Sequence, residues 1–238
     1  MTNPELQLEV CASGIESALA AQEAGVDRIE LCDKLEVGGI TPLYDTIKQT
    51  NYAVHIQTNV LIRPRDGDFI YSEEEFQTML NDARFCAGSF RTTGIVFGIL
   101  KQDGSIDEDR CRELIEIISP LRVTFHRAFD VVKDPFIALE QLITLGFDCI
   151  LTSGQKSNCL EGAEMISQLV KQAAGRISIM AGGGITEENI AEVVKRSDTN
   201  EFHFSAKKKL ADGSFVSDLN RIRKIKEIAE KTFYGIER

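Results

Sequence analysis

The stretch Gly25-Val26-Asp27-Arg28-Ile29-Glu30-Leu31-Cys32 holds a chain reversal and the start of a strand within eight residues. Its glycine follows an amphipathic segment, where glycine commonly closes a helix, and RIELC then reads as a short extended run. A second stretch, Gly146-Phe147-Asp148-Cys149-Ile150-Leu151-Thr152, repeats the arrangement. One leads into the second apolar run of the chain and the other into the sixth, as expected for two halves of four units each.

Outward from these joints the chain alternates apolar runs with amphipathic segments. Eight runs are read as strands: LQLEVC from Leu6, RIELC from Arg28, NVLIRP from Asn59, GIVFGIL from Gly94, RVTFHRAF from Arg122, CILTS from Cys149, ISIMAGG from Ile177 and EFHFSA from Glu201. Helix starts are signalled by Thr41 before Pro42, Ser72 with Glu75 as a capping box, Asp134 before Pro135, and Thr186 before two glutamates. Eight strand–helix units with no Pro/Gly-rich linker predict one α/β domain over residues 1–238, closed as a single (β/α)₈ TIM barrel instead of an open sheet.

A hydrophobic content of 43% is enough for a large core. The net charge of -10 argues against a nucleic-acid partner, which needs a cationic surface. Lys207 to Lys209 and Arg221 to Lys226 read as solvated faces, with a local anion contact by the lysines as the alternative. No apolar run reaches the ~18 residues of a membrane span. The N-terminus MTNPELQLEV lacks a secretory pattern, so the expected compartment is cytoplasmic. There the six cysteines should be reduced, and none forms a CxxC pair.

Parallel strands covered on both faces normally read as unbroken apolar runs, so charge inside them needs a reason. Strand alternation puts Glu9 and Cys11 on one face of the first strand and Glu30 and Cys32 on one face of the second, with Val10 and Leu31 opposite. Arg63, His126 and His203 fall at or near the ends of later strands. Glu9, Glu30, Arg63, His126 and His203 are therefore the candidate catalytic set at the barrel mouth, where such barrels carry their sites. A structural ion-pair network is the plainer alternative, and a buried ionic cluster is a poor source of stability. The matched patterns also predict that Glu9 lies opposite Glu30 and that the pair holds a proton, unless Arg63 bridges both.

Two loops could receive an anion. Gly182-Gly183-Gly184 after the seventh strand offers backbone N–H groups, especially from Gly183 and Gly184, with Ser205 and Lys207 expected alongside and a helix dipole behind. Arg63 and Arg65, in RPRDGDF, could fork onto a carboxylate or phosphate, with an alternating Arg/Asp surface turn as the alternative.

Those same residues carry a resemblance. LEVC, AGVDRIELC, GGITP, IRPRDGDFIYSEEE, FHRAFD, ILTSG, IMAGGGI and FHFSA resemble, in order and spacing, the CutC family of copper homeostasis proteins. The resemblance implies a cytoplasmic barrel that forms homo-oligomers, with Cys11 and Cys32 matching the copper ligands proposed within the family. Soft thiolates select Cu(I), and two inward positions on adjacent strands about 4.8 Å apart could share an ion. The first reading is therefore a Cu(I)-binding homeostasis protein whose partner is a copper ion. The second is an enzyme performing acid/base chemistry on a small anionic or phosphorylated metabolite. A divalent metal on His126, His203 and a glutamate is a weaker variant, because the fifth and eighth strands lie far apart around a barrel.

Overall fold

A computed structural model describes residues 5–211 and 213–235. Eight parallel strands, β1 (Gln7–Ala12), β2 (Arg28–Leu31), β3 (Gln57–Leu61), β4 (Thr92–Phe97), β5 (Arg122–Phe125), β6 (Cys149–Thr152), β7 (Ser178–Gly182) and β8 (Glu201–Phe204), close in sequence order, with β8 paired to β1. Around them run α1 (Ile15–Ala24), α2 (Tyr44–Ala53), α3 (Glu73–Ala87), α4 (Glu108–Ile118), α5 (Pro135–Leu145), α6 (Ala163–Ala173), α7 (Ile190–Ser197) and α8 (Leu219–Tyr234). All eight expected strands form, and the architecture is the (β/α)₈ barrel that the alternation predicts. No helix among the described residues is long and apolar enough to cross a membrane.

The repeated joint has a mechanical basis. Gly25 and Gly146 both take the left-handed conformation, at φ 73° and 87°, and cap α1 and α5. Two residues later each aspartate clamps the preceding strand. The Asp27 N–H donates to the Leu8 carbonyl at 3.1 Å, and its carboxylate accepts the Leu8 N–H at 2.8 Å. Asp148 does the same to Val123, at 2.9 and 2.7 Å. In both halves, then, the first strand of a pair is held in register before the second begins.

The outward faces of the strands bury Leu8, Val10, Ile29, Phe125, Phe202 and Phe204 beneath the helices. Ser72 and Glu75 form the expected reciprocal cap on α3, and Asp134 caps α5 ahead of Pro135. Two helix starts differ. α2 begins at Tyr44, and the Thr41 hydroxyl instead accepts the Arg63 N–H. α7 begins at Ile190, while Thr186 organises the turn before it, so the helix dipole does not sit directly behind the glycine loop. Lys207–Lys209 form a strand, β9, paired with β10 (Phe215–Ser217) in a hairpin beside the mouth.

Candidate functional site

Register decides which inward residues meet. Glu9 pairs with Arg28 and Cys11 with Glu30, so Glu9 does not face Glu30 as the matched patterns predict. The strands of a closed barrel are staggered, and residues equivalent in sequence therefore stand at different heights. Beneath the mouth lies an ionic layer. Arg28 donates from Nε to Glu9 at 2.5 Å and from Nη2 to Glu201 at 2.9 Å. Arg122 reaches Glu201 at 3.3 Å, and the Asn59 amide donates to Glu9 at 3.0 Å. Counting by two along the same strands reaches Arg28 from Glu30, Glu201 from His203 and Arg122 from Thr124. That signal was available in the sequence for two buried residues, Arg28 and Glu201, and for the half-buried Arg122, all outside the candidate set.

One level up, His203 stands between the two glutamates. Its Nδ1 lies 2.8 Å from Glu9 Oε1 and its Nε2 3.4 Å from Glu30 Oε2. Burial opposes a charge on this imidazole, yet Glu30, Cys11 and Glu9 together hold its pKa well above the usual histidine value. Burial likewise pushes Glu9 up, but Arg28 and His203 outweigh it and hold Glu9 at about 2. Glu30 is raised by burial, a change that His203 opposes and the Glu9 charge reinforces. The proton expected between the two carboxylates is thus carried by His203, which strand alternation places in the mouth but not between them.

Cys11 and Cys32 meet across β1 and β2 with their sulfurs 3.4 Å apart, both buried and neither in a disulfide. Gly39 makes this possible, since a methyl there would approach within 3.3 Å of Cys32 Cβ. The Cys11 thiol is pushed well above its usual range by its hydrogen bond with Cys32 and by burial. Cys11, Glu30 and His203 present one ligand atom each within 4.8 Å of one another. They are the group of potential metal ligands found among the described residues, and His126 is not part of it.

Above this layer opens a cavity of about 310 Å³ lined by Cys11, Glu30, Arg63, His126, Arg127 and His203, among others. Arg63 does not bridge the glutamates. It donates to the carbonyls of Val37, Gly39 and Gly67 and lies over the Phe69 ring, pinning the loops that frame the cavity. The His126 ring accepts the Ala128 N–H at Nδ1, so its proton sits on Nε2, which is buried without a partner. Burial, with Arg63 and Arg127 nearby, lowers its pKa to about 3 and keeps it a neutral donor. Arg65 is not brought to the mouth. Its donors go to Glu75, Asp68 and the carbonyls of Asp66, Asp68 and Ile70, so its charge is already matched in a surface turn.

The sequence pattern of the CutC family matches residues 6–208. This chain belongs to that family. A copper homeostasis protein cutC homolog of Homo sapiens is 48% identical over 200 residues, covering 84% of this chain and 73% of that protein. A family protein CutC of Parabacteroides distasonis is 49% identical over 201 residues, covering 84% and 82%. The crystal structure of a CutC protein from Streptococcus agalactiae superposes with a TM-score of 0.80 at 34% identity, covering 84% of this chain and 98% of that one. An aldolase with a TM-score of 0.63 is only 13% identical and shares the fold alone.

In this CutC-family chain a second cavity, of about 550 Å³, adjoins the first and shares Cys11, Gly38, Arg127 and His203 with it. Gly183, Gly184 and Ser205 line it together, as their places after β7 and β8 predict. Arg127 lies outside the candidate set although it follows β5 within the FHRAFD motif. Its Nε donates to Asp130 at 2.7 Å and its Nη2 to Ser153 at 3.0 Å. A polar side chain just past the carboxyl end of a strand is the signal that marks it.

Proposed function

We propose that the chain binds Cu(I) through the thiolates of Cys11 and Cys32 in the course of copper homeostasis. The observation that carries this reading is the 3.4 Å separation of two buried, unbridged sulfurs. Soft thiolates suit Cu(I), and two sulfurs this close on adjacent strands need only part modestly to hold one ion between them. Binding requires both thiols to lose their protons. Two thiolates and one Cu(I) carry a single negative charge, and the protonated His203 beside Cys11 supplies the counter-charge. His203 is then an electrostatic partner, held by Glu9 and Glu30, instead of a ligand.

Anaerobic titration with buffered Cu(I) tests this directly. Wild type is expected to bind one equivalent tightly, and the Cys11→Ser/Cys32→Ser variant to lose that site. Equal affinity in the two proteins would remove copper from this pair. A cytoplasmic location and homo-oligomeric assembly belong to the same reading, because a reducing compartment keeps the thiols free. Sedimentation of the purified protein and fractionation of cells check them.

A further inference from the structure

We propose that the mouth also holds the phosphate of a small phosphorylated metabolite, on the loops after β7 and β8, with Arg127 as its cation. This goes beyond copper binding and rests on different residues. The chain carries a net charge of -10, yet the 550 Å³ cavity is lined by Lys207, Lys209, Arg127, which is paired with Asp130, and Arg221, which is paired with Glu187, and by no aspartate or glutamate of its own. Such a local reversal of sign, in a recess, concentrates anions.

The donors are also present and unused. Gly183 and Gly184 adopt φ of 101° and 77°, and their carbonyls are occupied by the Cys159 N–H and the Asn189 amide at 2.9 and 2.7 Å. Their own N–H groups meet no acceptor among the described residues, and neither does the Ser205 hydroxyl. Arg127 leans on this loop so closely that a side chain at Gly183 would come within 3.2 Å of its Cζ and 3.3 Å of its Nη1. With Nε and Nη2 taken by Asp130 and Ser153, Nη1 remains for a ligand. Asp130 is itself tied to the Thr152 hydroxyl and the Ser153 N–H, at 2.5 and 2.9 Å, which fixes the guanidinium in place.

Two amides, a hydroxyl and an arginine N–H are four donors, which suits the three outer oxygens of a phosphomonoester better than the two of a carboxylate. The rest of the molecule extends past Arg127 into the 310 Å³ cavity. There the unpartnered Nε2–H of His126 calls for an acceptor, so the ligand is a phosphomonoester bearing a carbonyl or hydroxyl group.

The test follows the amide resonances of Gly183, Gly184 and Ser205 in the intact protein during titration with inorganic phosphate, glycerol phosphate, acetate and, at matched ionic strength, chloride. Saturable shifts with the two phosphates only, tighter for the ester, are expected. Arg127→Met should weaken phosphate roughly tenfold or more, the value of a charge-assisted hydrogen bond. Ser205→Asp, which breaks no existing contact, should abolish binding and decides the matter if Arg127→Met does not fold. Cys11→Ser/Cys32→Ser should bind phosphate as wild type does, which separates this site from the copper reading. Shifts equal in chloride, acetate as tight as phosphate, or unchanged affinity in Ser205→Asp would each overturn the proposal.

Discussion

His126 and His203 are two buried histidines of one barrel mouth in opposite protonation states, and their neighbours set the difference. His203 faces two carboxylates and keeps its proton. His126 shares its surroundings with Arg63 and Arg127 and stays neutral, at about 3. A folded-state pKa below the unfolded value of ~6.5 means that the unfolded chain takes up the proton first. The stabilisation is thus complete above about pH 7 and is lost as the pH falls toward 3. For this residue alone the expected loss between pH 7 and pH 5 is about 2 kcal/mol. Urea unfolding at the two values, compared with His126→Asn, which can still accept the Ala128 N–H, should show a correspondingly smaller fall in the variant. Arg28 supports a second expectation. Arg28→Met leaves Glu9 and Glu201 short of a partner in the interior, at a cost of roughly 3 kcal/mol. That is the low end for a broken buried pair, because His203, Asn59 and Arg122 still reach the two carboxylates. Denaturant midpoints at an unchanged slope measure it.

At the level of elements, β4 is shaped by a neighbour's side chain. Gly94 stands beside Asn59 of β3, and a methyl at Gly94 would run into the Asn59 amide oxygen and come within 2.9 Å of the Arg122 carbonyl. Asn59 in turn donates to Glu9. Gly94→Ala is therefore expected to destabilise by about 1–3 kcal/mol through overpacking and to disturb Glu9 from three strands away. Thermal melts give the first effect, and the ring resonances of His203, which is paired with Glu9, report the second. The α3 cap behaves more simply. Ser72→Ala removes the acceptor for the Glu75 N–H and should cost about 1 kcal/mol. This cap was legible from two residues at fixed spacing, because it is a local interaction. The role of Gly94 was not legible, since it depends on a register set by the β3–β4 pairing.

For the whole molecule, copper binding and stability are linked. A ligand that binds the folded state alone adds about 2.7 kcal/mol at a hundredfold excess over its Kd. For a chain of this size that shift corresponds to a rise in Tm of roughly 5–10 °C. Calorimetry with buffered Cu(I) should show the rise in wild type and none in Cys11→Ser/Cys32→Ser. The barrel itself supplies the geometry, since β1 contributes Glu9 and Cys11, β2 contributes Glu30, and β8 closes against β1 to bring in His203.

The fold was written in features of short range. Apolar runs at regular spacing and glycines that end helices act over a few residues, so eight strands and their order could be read directly, whereas the aspartate clamps reach back 19 and 25 positions. The inward face was legible as well, because alternation along a strand is local, and it placed Glu9, Cys11, Glu30, Cys32 and His203 in the interior. Only closure decided which of them touch. The stagger of the strands set Glu9 against Arg28 and Cys11 against Glu30, and the joining of β8 to β1 put a histidine 194 positions away between the two glutamates. The same was true of charge. RPRDGDF shows the Asp68 that pairs with Arg65 three positions away, but not that Glu75 also takes its charge, or that Arg127 folds back from β5 onto the loop after β7 and joins Arg63 at the mouth. The contact of Arg127 with Gly183 joins segments far apart in the chain, and only the tertiary structure settles it.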